Sequence, residues 1–186
     1  MIKSEIRSIV RNVLPKVDKT NKYHDVFLDA CIEKVIAQLY NDIWTISPLN
    51  LQRYTKGYGY TTPIAVSLEA TTGLYYSTLP VSIHPFQDMA AGVRRISTPT
   101  QGGLSFIPID PRMHDLILSG SYVDTVTSKI GYITTPTRVE YYNMSAAIII
   151  SGVRMDLIIP FSKYEETDIV LIPEIADPRS GETFVD

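Results

Sequence analysis

The chain offers few residues from which a reaction could be assembled, and their spacing decides what each can do. It has three histidines, His24, His84 and His114, far apart in the sequence. His114 with Asp110 and Asp115 could imitate a metal or acid–base cluster, because a carboxylate that orients an imidazole is the core of many such sites. Neighbouring residues on a helix point about 100° apart, so His114 and Asp115 do not converge. Cradling a phosphate requires clustered glycines leading into a helix N-terminus. Gly57-Tyr-Gly59 and Gly102-Gly103 are isolated, and neither has the lysine or the following helix of a nucleotide site. The sole cysteine, Cys31, falls on the apolar face of a predicted helix and is expected in the core. With no Gly-x-Ser-x-Gly elbow and no Cys/His cluster, no catalytic, cofactor-binding or metal-binding residue is assigned, and the chain is read as non-enzymatic.

Other residues suit contact better than chemistry. Tyr54, Tyr58 and Tyr60 crowd the stretch Arg53-Tyr-Thr-Lys-Gly-Tyr-Gly-Tyr60. Tyrosine supplies wide contact area at low entropic cost, so this stretch is a candidate protein interface, with a strand edge covering the helices as the structural alternative. Arg94-Arg95 could face phosphates or an acidic partner, or form a surface ion pair. Phe184-Val185 give the C-terminal residues an apolar tip.

These residues must be positioned by a chain of 186 residues, one domain or one domain with a small annex. Hydrophobic residues at 45% and charged residues at 20% permit a real core. The longest uninterrupted apolar run, Ala146 to Ile150, is far short of a bilayer span, and the charged Met-Ile-Lys-Ser-Glu-Ile-Arg start lacks a signal's apolar stretch. A soluble, unexported chain in a reducing compartment is expected. Residues 151–186 carry three Lys/Arg against eight Asp/Glu, so the net charge of −3 arises in the last fifth. That distribution lacks the basic stripe of a dedicated nucleic-acid binder.

The first fifty residues read as helical. Ile2, Ile6, Ile9, Val10 and Val13 make an apolar stripe, with Ser4 as the expected N-cap and Pro15 as the stop. After a polar linker, a second helix is predicted from Tyr23 or Asp25 to Trp44. Its wide apolar face includes Phe27, Leu28, Cys31, Ile32, Val35, Ile36, Leu39 and Tyr40. Val35 lies at the centre of that face, where Asp is expected to damage the fold or a subunit contact.

Beyond Ser47, turn signals alternate with β-branched and aromatic runs. Ile64–Glu69 and Leu74–Leu79 predict a hairpin turning at Gly73. Val93–Ile96 and Leu104–Ile109 suggest a second hairpin, and Tyr122–Thr127, Lys129–Thr134 and Arg138–Tyr142 suggest further strands. Ala146–Ile150 and Val153–Ile159 read as strands joined at Ser-Gly, Ile169–Ile172 as a closing strand, and Pro111–Leu118 as a short helix. The predicted class is α+β: an N-terminal helical hairpin over 1–46, an antiparallel β-sandwich or barrel over 47–172, and an extended acidic tail over 173–186. That tail either frays or docks on a neighbour.

The opening segments, Ser4-Glu-Ile-Arg-Ser-Ile-Val-Arg-Asn-Val-Leu14 and Asp25-Val-Phe-Leu-Asp-Ala-Cys-Ile-Glu-Lys-Val-Ile-Ala-Gln-Leu-Tyr-Asn-Asp42, resemble the N-terminal helices of tailed-phage head-to-tail connector proteins. Chain size and a Tyr- and Thr-rich β portion resemble the ring proteins of crAss-like phages. The resemblance implies a virion structural protein assembled in the host cytoplasm, in a roughly twelve-fold ring below the portal. Its implied partners are the portal, other neck and tail proteins, and further copies of itself, with packaged double-stranded DNA passing through without sequence-specific binding. It implies no cofactor, no membrane and no active-site residue. Podovirus-type adaptors are largely helical, whereas this chain carries many strands and an acidic tail. The alternative from a different class is a β-sandwich module that binds carbohydrate or protein.

Overall fold

A computed structural model of the chain describes residues 1–13, 25–86, 89–99, 106–110, 112, 130–144 and 146–170. Helix α1 spans Lys3–Val13 and α2 spans Asp25–Ile46. Ile2 rather than Ser4 takes the N-cap position of α1, where the Glu5 carboxylate reaches back and accepts from the Ile2 N–H at 2.9 Å. This is half of a capping box, and it satisfies a donor that the helix itself leaves open. α2 ends where Pro48 opens a 3₁₀ helix, Pro48–Tyr54.

By contact, the chain divides into two units, and one is discontinuous: Met1–Tyr54 together with Pro160 onward, and Thr55–Ile159. The linear boundaries expected at 46 and 172 do not mark these units, because the first is completed by chain from beyond the second.

In the helical unit, Leu28, Ile32, Ile36 and Tyr40 form a buried row at every fourth position of α2, joined by Ile6, Leu51, Phe161 and Tyr164. The returning chain closes the unit through polar contacts. A 3₁₀ turn, Phe161–Lys163, is held at both ends. Glu33 accepts from the Phe161 and Ser162 N–H groups at 3.1 and 2.6 Å, and the buried Lys3 ammonium donates to the Tyr164 carbonyl at 2.8 Å. Asp29 binds Arg7 in a two-pronged pair, and Arg7 also reaches Glu166 at 2.6 Å. Backbone pairing adds an Ile2–Ile169 bridge, with the Val170 N–H donating to the Met1 carbonyl at 2.9 Å. Ile169 therefore pairs with the N-terminal chain instead of closing the β set.

The β unit holds two sheets. One has the order β1-β8-β4, from Lys56–Tyr58, Arg154–Leu157 and Val93–Ser97, all antiparallel. The other has the order β2-β3-β7-β6-β5, from Ser67–Leu68, Tyr75–Thr78, Arg138–Tyr142, Ile130–Thr134 and Phe106–Pro108. In it β5 runs parallel to β6. The fold is therefore α+β with one antiparallel and one mixed sheet, and neither closes into a barrel.

The hairpin turning at Gly73 forms as expected, with φ of 70° and the Gly73 N–H donating to the Glu69 carbonyl. Two expectations fail. Val93–Ser97 and Phe106–Pro108 belong to different sheets, so the loop between them joins no hairpin. Ala146–Ser151 is a helix, α3, although three consecutive isoleucines favour a strand. Its end explains the outcome. Gly152 takes φ of 72°, its N–H donates to the Ile148 carbonyl, and a Cβ there would stand 2.7 Å from the Ile64 carbonyl. Glycine alone stops the turn in that space. Tyr122–Thr127, Lys129 and most of Pro111–Leu118 lie outside the described residues, as do Leu171, Ile172 and the 173–186 tail.

Candidate interaction surfaces

Each unit presents one surface on which the sequence places unusual side chains. On the β unit it is the outward face of the three-stranded sheet. Alternation in β8 buries Met155 and Leu157 and turns Arg154 and Asp156 outward. Register sets Gly57 of β1 and Arg95 of β4 on either side of Asp156. Because Gly57 has no side chain, the Tyr60 ring lies over the strand; a Cβ there would be 2.7 Å from the ring. From that position the Tyr60 hydroxyl donates to Asp156 at 2.8 Å, and the Arg154 guanidinium sits 5.3 Å from the ring centroid. Burial first, and the Asp156 bond second, raise the Tyr60 pKa above the ordinary value. Tyr60 therefore keeps its proton at neutral pH. The cluster offers hydrogen bonds, a half-exposed ring and a cation, which are means of contact.

The predicted interface residues separate on this framework. Tyr60 and Arg95 come together as described. Tyr58 is half-buried on β1, with the Lys56 ammonium 5.8 Å from its ring centroid. Arg94 falls at the irregular register between Val93 and Arg95, where partial burial lowers its pKa. Tyr54 belongs to the helical unit and packs beside Tyr40 at 6.1 Å between centroids. Phe184 and Val185 lie outside the described residues. Sequence reasoning misses Arg154 and Asp156, although the alternation Val153-Arg-Met-Asp-Leu157 carries the signal for an outward pair.

Of the three histidines, only His84 is among the described residues. His84 is buried, edge-on to Phe86 at 4.6 Å, with its backbone N–H donating to the Ile158 carbonyl. Asp110 is exposed and accepts from the Arg112 backbone and side chain, which holds its pKa below the ordinary value. His24, His114 and Asp115 lie outside the described residues. Among those residues, no group of His, Cys, Asp and Glu is placed to hold a metal ion, and no helix is long and apolar enough to cross a membrane.

On the helical unit the surface is a groove of about 240 Å³ between α1 and α2. Ile6 and Val10 form one wall, and Cys31, Val35 and Leu39 form the other above Ile32. Every lining residue is apolar. Val35 is 60% exposed, and Ile9 and Val13 on α1 are about half exposed. Two expectations are corrected here. Cys31 is exposed rather than core, and Val35 is not the centre of the buried face. The apolar face of α2 contains two adjacent rows, of which the Leu28–Ile32–Ile36–Tyr40 row turns inward and the Cys31–Val35–Leu39 row lines the groove.

Comparison with protein-family models, with curated proteins and with solved structures finds no match to this chain.

Proposed function

We propose that this chain is a non-enzymatic structural subunit of a homo-oligomeric ring, a connector of the kind found between the head and tail of tailed phages. In that role it helps line the path of packaged DNA below the portal. The observation that carries the proposal is the open groove between α1 and α2. An aliphatic side chain such as Val35 gains stability by burial, so a row of them left in a groove is what an assembling surface needs. Support also comes from the resemblance of the two helices to connector N-terminal helices. The tyrosine and arginine face of the three-stranded sheet adds a second contact surface of different chemistry, as a subunit with several neighbours requires.

Quantitative mass spectrometry of purified particles tests the proposal. The expected result is a copy number close to that of the portal protein. Absence from the particle overturns it.

A further inference from the structure

We infer that the groove between α1 and α2 receives the acidic C-terminal segment of a neighbouring copy, with the Phe184 ring as the inserted group. The inference rests on the ring reading, because a closed ring is built from heterologous contacts in which two different surfaces of one chain meet. The groove supplies one of those surfaces.

Three observations assign the other. The first is size. A cavity of about 150 Å³ accepts a benzene ring, so a groove of about 240 Å³ takes one aromatic ring with space for a further aliphatic group. Phe184 is the sole aromatic residue after Tyr164, and Val185 follows it. The second is charge. Residues 171–186 carry Glu174, Asp177, Glu182 and Asp186 against Arg179. The sequence joining α1 to α2 carries Lys16, Lys19 and Lys22 against Asp18, and Lys34 is exposed one residue before Val35. Acidic residues around an apolar pair are thus matched to an apolar groove between two helices whose joining sequence is basic. The third is reach. The described residues end at Val170, tied to Met1 in the same unit that bears the groove. Fourteen residues from there to Phe184 span up to roughly 46–50 Å when extended, and that length is the reach available for entering a neighbouring copy.

Cys31, the sole cysteine, lines the groove and makes the contact testable in the full-length protein. A donor chain carrying Cys31→Ser and Val185→Cys, labelled with heavy isotopes, is mixed with the unaltered chain and treated with a short bis-maleimide. Each chain then has one thiol, so a link between Cys31 and the thiol introduced at position 185 can form only between copies. Each chain alone gives the background of like-with-like links. The expected product is the mixed heavy–light dimer, at least tenfold above that background. Val35→Asp in the unaltered partner is expected to remove it, and deletion of residues 174–186 is expected to leave folding intact while ring assembly is lost.

No mixed dimer overturns the inference, as does a mixed dimer that Val35→Asp leaves unchanged. A Val185→Cys chain retaining Cys31 that links only within itself also overturns it, since the occupant would then be the chain's own segment. The particle measurement reads the ring reading separately: a portal-like copy number without the mixed dimer removes only the inference. A mixed dimer formed by a chain absent from particles removes only the phage assignment.

Discussion

The helical unit and the β unit bury apolar residues to different ends. In the β unit, Val153, Met155, Leu157, Ile158 and Ile159 form an almost unbroken run with no exposed surface, and the outward positions between them carry charge. The helical unit buries one row of α2 and leaves the adjacent apolar row in an open groove. It compensates with an ion pair, Arg7 to Glu166, and hydrogen bonds to chain that returns more than a hundred residues later. The β unit is stabilised by continuous packing. The helical unit adds a few polar fastenings to its buried α2 row and keeps further apolar surface for other use.

The comparison breaks most visibly at Ile158. Ile158→Ala opens a cavity in the fully buried run and is expected to cost about 2–5 kcal/mol in urea unfolding of the β unit. Trp44, the only tryptophan, lies on α2 and reports on the helical unit by fluorescence. A loss below about 1 kcal/mol would show that the run packs loosely.

Asp29→Ala is expected to cost about 2 kcal/mol, because it leaves Arg7 and Lys3 without their shared carboxylate. A fall in the Trp44 transition midpoint, larger than that of any β-unit signal, is the reading that supports a point-fastened unit. The same contact sets a pH dependence. The Arg7 hydrogen bond holds the Asp29 pKa below its ordinary value, outweighing the opposing effect of burial. A depressed carboxylate stabilises the folded state fully above its unfolded pKa, and that stability disappears as pH falls through the folded value. Acid unfolding followed by Trp44 is therefore expected to steepen below the ordinary aspartate range, and to flatten in Asp29→Asn. Identical acid limbs would remove Asp29 as the source.

Val35→Asp is the smallest effect on folding, within about 0.5 kcal/mol, because the side chain already faces solvent. A large loss of stability would return Val35 to the core and close the groove.

The elements whose pattern has a single interpretation were legible in the sequence: α2, the Gly73 hairpin and the strand over Arg138–Tyr142. The inward row of α2 was not, because Cys31, Val35 and Leu39 are as apolar as Leu28, Ile32 and Ile36, and periodicity cannot choose between adjacent rows. Ala146–Ser151 was illegible because local β preference yielded to a glycine stop against the Ile64 carbonyl. The partners of β4 and β5 were hidden for a topological reason, since sheet membership depends on distant strands. Of the candidate interface, Tyr60 and Arg95 were visible as residue types, whereas their convergence on Asp156 depends on the pairing of β1, β8 and β4. The contacts of Lys3, Arg7 and Glu33 with the returning chain had no sequence signal at all: their partners there are an ordinary charge and backbone groups far along the chain.

The return of Phe161–Val170 to the N-terminal helices also orders events on the ribosome. α1 and α2 emerge before the β unit, yet the Phe161–Tyr164 backbone groups that Glu33 and Lys3 bind are not made until synthesis passes Tyr164, which at roughly 5–20 residues per second is on the order of ten seconds later. Throughout that interval the whole of Thr55–Ile159 is being made and can pair its strands. Of the two units, the helical one is thus begun before the β unit and completed after it, and its apolar helix faces await their returning chain while the nascent β unit pairs its strands.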